Sequence, residues 1–257
     1  MLRAVIWLLS ATLAILLTVL AFLPAAWMSV LLERQTGGRF SLGDAQGTLW
    51  QGSAFLGGAP GTDAAVTPLL PGRFAWRLSP LVALGTVDAE LSNPEALSKP
   101  VRITGGWTAW TVSPAAISLP AERLTALGAP LNTLQPSGRM TLEWQPLQIA
   151  RQGQQVAMTG TMRLTLDDIA SRLSPIKPLG AYRMTLEWRG QQAQLQLGSL
   201  HGPLLLSGAG RLDRGRMQFS GKAEAEPGQE QRLANLLNLL GQRRTEGGKD
   251  YISLEFK

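Results

Sequence analysis

His201 is the one histidine in a chain of 257 residues that contains no cysteine. It stands before Gly202 and Pro203, at a turn, where an imidazole is ordinarily solvated rather than catalytic. A metal centre of the usual histidine and cysteine type cannot be assembled, and no disulfide can form. The adjacent Asp167 and Asp168 would point in different directions on a helix, so they read as first-turn acids and not as a catalytic carboxylate pair. The nearest approach to a phosphate loop, Gly215 to Lys222, is one residue too long, and Ala223 stands where a Ser or Thr is needed. Gly208 and Gly210 open no helix, so no dinucleotide fingerprint is present, and no Gly-x-Ser-x-Gly nucleophile elbow occurs. The chemistry-bearing residues therefore point to a protein that is not an enzyme and carries no cofactor.

The net charge of +6 and pI of about 10.3 raise the question of nucleic acid. Yet Lys and Arg are scattered singly, with no dense basic stripe or aromatic stacking platform. Nucleic acid is thus not expected as a partner. A basic domain beside a bilayer is instead drawn weakly to anionic head groups.

What the sequence does carry is an internal repeat. The hexapeptide Arg-Met-Thr-Leu-Glu-Trp occurs unchanged at residues 139–144 and 183–188. Met140, Leu142 and Trp144 alternate with polar residues, as do Met184, Leu186 and Trp188, which is the period of a half-buried strand. A degenerate third copy closes the chain, with Ile252, Leu254 and Phe256 in the apolar places. Each copy follows a segment with helical spacing: Ala121 to Leu127, Asp167 to Leu173, and Gln229 to Arg244. The last places Leu233, Leu236, Leu237 and Leu240 on one side, with Arg243 and Arg244 in its final turn. The predicted unit is helix, turn and strand. Its copies, 44 and then 68 residues apart, are too uneven for a solenoid.

Frequent Gly and Pro with short alternating runs between them predict a mainly β fold. Strands are expected at Phe40 to Leu42, Thr48 to Phe55, Arg73 to Leu78, Thr86 to Leu91, Val101 to Trp107, Gln155 to Leu166, Gln192 to Leu200, Pro203 to Leu212 and Arg216 to Glu226. Short connections imply antiparallel meanders in a curved sheet. Two β-rich regions are expected: residues 34–112, with Trp50, Trp76, Trp107, Trp110, Phe40, Phe55 and Phe74 as most of the aromatic core, and residues 113–257, which hold the repeats. Residues 57–72 read as an exposed loop.

Residues 1–33 form a third part. No charge occurs between Arg3 and Glu33, and about 20 apolar residues in a helix cross a bilayer core of about 30 Å. Trp7 and Trp27 would then lie one at each water interface, as aromatic belts do, with Arg3 at the near flank. The run is about twice the length of a signal-peptide core, which favours an uncleaved single-pass anchor with its amino terminus in the cytoplasm.

Set in order, these parts resemble a known family. The anchor is followed by Gly47-Thr48-Leu49-Trp50-Gln51-Gly52, then by Phe74-Ala75-Trp76-Arg77-Leu78-Ser79-Pro80. Pro178-Leu179-Gly180-Ala181-Tyr182, Gly202-Pro203-Leu204-Leu205-Leu206-Ser207-Gly208 and a closing leucine-rich helix and strand come after them. The set resembles the type II (general) secretion system protein N family across almost the whole chain. That resemblance implies a non-enzymatic accessory subunit in the bacterial inner membrane, its main domain in the periplasm. It would contact other inner-membrane secretion subunits and serve the export of folded proteins across the outer membrane. Trp50 and Trp76 are candidate partner contacts, since tryptophan is enriched at binding hot spots, although core packing is the plainer reading for both. The alternative is a membrane-anchored lipid-handling groove. The two readings divide on whether Met140, Leu142, Trp144, Met184, Leu186 and Trp188 are covered by the helices or line an open trough.

Overall fold

The uncharged stretch at the start of the chain does not form one helix. In the computed structural model, which describes residues 2–38, 40–58, 67–127, 135–153, 155–214, 216–246 and 249–256, it breaks into α1 (Leu2–Ala21) and α2 (Ala26–Thr36). Pro24 supplies the physical cause, because it has no N–H to give and its ring disfavours helix in the residue before it. Pro24 forms a β-bridge to Thr48 instead, and Ala25 is buried beside it. Trp7 and Trp27 therefore sit on different helices, and Trp27 belongs to the one that packs on the first strand. Among the described residues no helix is long and apolar enough to cross a membrane, the side chains of residues 2–5, 17 and 31 standing outside that description.

All the strands join one antiparallel sheet. Its first part runs β1 (Phe40–Gly47), β2 (Gln51–Gly58), the short β3 (Thr67–Pro68), β4 (Phe74–Leu78), β5 (Val87–Ser92), β6 (Val101–Gly105), β7 (Ala109–Val112) and β8 (Ala115–Pro120). Its second part runs β9 (Pro136–Trp144), β10 (Leu147–Gln152), β11 (Gln155–Ser171), β12 (Gly180–Gly190), β13 (Gln192–His201), β14 (Leu204–Asp213), β15 (Arg216–Ala225), β16 (Gln242–Glu246) and β17 (Lys249–Phe256). The long β11 organises the middle. One of its edges pairs with β12, and the other takes β10 and then β9 in succession. β7 pairs with β10 and β8 with β9, so hydrogen bonds carry the sheet across the proline-marked junction near residue 113.

Several expected elements differ. Asp167 to Leu173, expected as a helix, is largely strand: β11 continues to Ser171, and the register shifts after Leu166 against both neighbours. Asp168 takes a left-handed φ of 52° there, so the two acids form a bulge, which a pair of flanking strands enforces over local helical preference. The segment Ala121–Leu127 is a 3₁₀ turn, and α3 (Glu230–Leu240) ends before Arg243 and Arg244, which lie on β16. An α-helix thus precedes the repeat strand only at the third place, where β16 stands between α3 and β17; residues 128–134, the expected turn of the first copy, lie outside the described ones. The predicted loop at 57–72 contributes core, since Leu69 and Leu70 are buried; its residues 59–66 lie outside the described ones. Of the expected aromatic core of the first region, Phe74 and Trp76 are buried while Trp107 and Phe55 are exposed.

Among the described residues three apolar clusters hold the fold. One lies under α3, one joins Leu69, Leu70, Phe74, Leu97 and Val101 with Trp144, and a small one sets Ala25 and Ala54 against Trp76.

Candidate functional site

Directly opposed residues in an antiparallel pair share a face. The two hexapeptides flank β11, one on each edge, both antiparallel to it and therefore parallel to each other. Leu142 faces Leu164, which faces Met184; Trp144 faces Met162, which faces Leu186. The copies are thus offset by two residues. Both rows run on: Met184 to Leu197, Gly208, Gly221 and Leu254, and Leu186 to Leu195, Gly210 and Phe219. Met140 opposes Leu166 and then Tyr182, and Ile252 opposes Ala223. All three copies of the repeat thereby contribute to one apolar face. The side chains of Phe256 and Arg3 lie outside the described ones.

This face is closed at its two ends and half-open between them. At one end α3 buries Leu233, Leu236 and Leu237 against Tyr182, Leu204, Ala223 and Ile252. At the other, Trp144 packs into the first region's core, its indole N–H donating to the Ser113 carbonyl at 2.9 Å. Between them Leu142, Met162, Leu164, Met184, Leu186, Trp188 and Phe219 are only partly buried and belong to neither cluster. Met140 and Leu195 are buried among them. The cluster under α3 reaches β12 at Tyr182, and neither it nor the first region's cluster includes Met184, Leu186 or Trp188. The Trp188 indole nitrogen is buried without a hydrogen-bond partner, an arrangement that costs about 1–3 kcal/mol. The strip also depends on missing side chains: a Cβ on Gly208 would stand 2.5 Å from the Phe219 ring and 2.8 Å from the Gly221 Cα.

The reverse face is polar, with Arg163 and Glu143 paired across strands at 3.5 Å and Ser118 hydrogen-bonded to Thr141. Two titratable groups are shifted. Burial raises the Tyr182 phenol well above its ordinary value; it is 2% exposed and donates to the Leu204 carbonyl at 3.0 Å. The hydrogen bond from the Arg73 guanidinium, 2.5 Å away, holds the Asp44 carboxyl below the usual range.

The residues singled out for chemistry do not converge. His201 is exposed at the end of β13, and Asp167 and Asp168 lie in the β11 bulge. Among the described residues no three His, Cys, Asp or Glu are grouped to hold a metal.

Trp50 and Trp76 serve a joint that sequence reasoning missed. Gly47 to Gly52 is the turn between β1 and β2, and the chain between α1 and α2 is stitched into it. Leu49 N–H donates to the Leu23 carbonyl at 2.8 Å, Ala25 N–H to Gly47 at 3.1 Å, and the Trp50 indole to Leu20 at 2.7 Å. Trp76, 9% exposed, donates to Leu49 at 3.1 Å and fills the small core. Gly47 has φ 87°, and a Cβ on Gly52 would be 2.5 Å from the Trp76 ring, so the motif's glycines shape this joint.

The same motif opens the region that comparison with known families picks out. The family model for type II secretion system (T2SS) protein N matches residues 38–250. The chain belongs to that family. Protein N is a component of a secretion system, which associates this chain with the cell envelope and with other T2SS components. The match begins after α2 and ends within β17, so it takes in the Gly47 to Gly52 turn, most of the apolar face and α3, while Leu20, Leu23 and Ala25 of the joint and Ile252, Leu254 and Phe256 of the third copy lie outside it. No curated protein matches the chain, and neither does any solved structure.

Proposed function

We propose that this protein is a non-enzymatic accessory subunit of the type II secretion system, held in the bacterial inner membrane by its first helix. The amino terminus is cytoplasmic, the sheet is periplasmic, and its partners are other inner-membrane subunits of the machine that exports folded proteins across the outer membrane. The observation that carries this reading is the family match over residues 38–250. Support for the anchor comes from the absence of charge between Arg3 and Glu33 and from the exposed Ile6, Trp7, Leu9, Leu13, Leu16 and Leu20 of α1. Twenty residues at about 1.5 Å each rise about 30 Å, a bilayer core. Within the periplasmic part we divide the chain into residues 34–112 and 113–257, two units that share one sheet and a cluster joining Phe74 and Val101 to Ala115 and Trp144. An anchored domain meets its partners at raised effective concentration, which suits an accessory role. Site-specific photocrosslinking from the sheet in intact cells tests it: adducts with inner-membrane secretion subunits are expected, and adducts confined to unrelated envelope proteins would overturn it.

A second reading has its own observation. The half-buried strip from Leu142 to Phe219 with the unpaired Trp188 indole suits an acyl chain bearing an ester oxygen. Lipid extracted from the purified full chain and detected by mass spectrometry would support it; a lipid-free chain would remove it.

A further inference from the structure

From the strand register, the hydrogen bonds at one end of the sheet and the exposure of its apolar side chains, we infer that the rim of the sheet beside α1 is itself a membrane-docking surface, seated in the head-group layer of an anionic bilayer. The inference rests on the reading of α1 as an anchor.

Strand register places the rim. Gln51 pairs with Arg77, Leu78 with Ala89, Val87 with Gly105, Gly105 with Trp110, and Ala109 with Ala150. Hence the β1 to β2 turn, the 3₁₀ turn Pro80–Leu84, the β6 to β7 turn and the end of β10 all lie at the same end of their strands. That is the end from which α1 departs. A continuous line of hydrogen bonds ties it to the helix. The Trp50 indole donates to Leu20, Leu78 N–H to Trp50, the Trp107 indole to Val82, and Arg151 N–H to Thr108, each at 2.7 Å. These contacts fix the rim's position relative to the last turn of α1.

The rim is apolar where a soluble surface would be polar. Leu84 is 82% exposed, the highest value of any large apolar side chain among the described residues, and Phe22, Trp107 and Leu81 are 72%, 62% and 53% exposed. Trp107 has its polar atom satisfied inward and its ring outward, the disposition that places tryptophan at water and lipid boundaries. Arg151 is exposed next to Trp107's turn and has no acidic partner among the described residues, while the tips of the following hairpins add Arg189, Arg214 and Arg216 against Glu187 and Asp213. Cations around an apolar patch complement an anionic head-group layer. Because these hydrogen bonds already tie the sheet to the last turn of α1, rim contact sets the tilt of helix and sheet together against the bilayer, so that the strands rise from the membrane and α3, at the opposite end, points into the periplasm.

Because the chain has no cysteine, single Leu81→Cys and Leu84→Cys variants of the full chain can carry an environment-sensitive fluorophore without background. Leu200→Cys, 43% exposed at the far end of β13, is the control. The chain is reconstituted in vesicles of phosphatidylethanolamine and phosphatidylglycerol, with and without brominated acyl chains. A blue-shifted emission quenched by brominated lipid at Leu81 and Leu84 but not at Leu200, and weakened by Arg151→Glu, is expected. Labels at Leu81 and Leu84 that remain as water-exposed as at Leu200, in chains that resist carbonate extraction, would overturn the rim while leaving the anchor standing. Release of the chain by carbonate would overturn the anchor and the rim together.

Discussion

Leu233 is the side chain through which α3 is held on the sheet, and its removal is a test of how the apolar face is closed. It is 0% exposed and packs with Leu236, Leu237, Tyr182, Leu204, Ala223 and Ile252. With 11 residues α3 is too short to persist alone in water, so packing is what keeps it helical. Leu233→Ala removes buried carbon from a site walled on all sides, so the cavity term adds to the lost transfer free energy, and a cost of about 3 kcal/mol is expected. Leu239 is the internal control: it is on the same helix but 66% exposed, so Leu239→Ala should change stability by no more than about 0.5 kcal/mol. Urea unfolding of the full chain in detergent, followed by tryptophan emission and compared by midpoint, measures both variants. Hydrogen exchange should show faster opening of α3 and β17 in Leu233→Ala, with β11 and β12 little changed. Equal midpoints for the two variants would refute the assignment of Leu233 to the closed end.

Tyr182→Phe should cost about 1–2 kcal/mol at neutral pH by leaving the buried Leu204 carbonyl unpaired. Because the folded phenol titrates above the unfolded one, whose ordinary value is about 10, the wild-type contribution is fully present below about pH 10 and is lost progressively as pH rises from there through the raised folded value. Thermal melts above pH 10 should therefore fall for the wild type and stay flatter for the variant. The Asp44 carboxyl should titrate below 3.8 by NMR and move up in Arg73→Ala, since the guanidinium hydrogen bond is what lowers it. Gly208→Ala should destabilise by about 1–3 kcal/mol because its Cβ meets Phe219 and the β15 backbone, with partial recovery in the double variant Gly208→Ala/Phe219→Leu measured by the same melts.

Local pattern in this chain reports strands well, and pairing poorly. The alternating runs from Gln192 to Glu226 predict β13, β14 and β15 to within a residue or two, because each is a half-buried strand joined by a tight turn. The duplicated hexapeptide likewise marks two strands with one apolar face. Nothing in it says that both copies flank the same β11, because register across a sheet is set by contacts distant in sequence. Asp167 to Leu173 misleads for a related reason: two acids before an apolar run carry a helix-start signal, yet β9 and β12 on either side draw the segment into strand and leave Asp168 to absorb the bulge. Arg243 and Arg244 read as a helix end, but they fall on β16, where Arg243 faces Asp250 and Arg244 reaches Glu255. The joint around Gly47 to Gly52 was visible only as a motif. Its partners, Leu20, Leu23 and Ala25, lie in the uncharged stretch, whose composition speaks of lipid and hides the break at Pro24.

Family membership supplies the functional frame, and the structure adds a joint, a half-open apolar face and a rim that fit a sheet held close to a membrane. The central claim is that this protein serves type II secretion from the inner membrane. Its most direct test is to delete the gene and measure where a folded type II substrate accumulates. The account predicts retention in the periplasm and recovery of release to the medium when the full chain is restored, whereas undiminished release without the protein would contradict it.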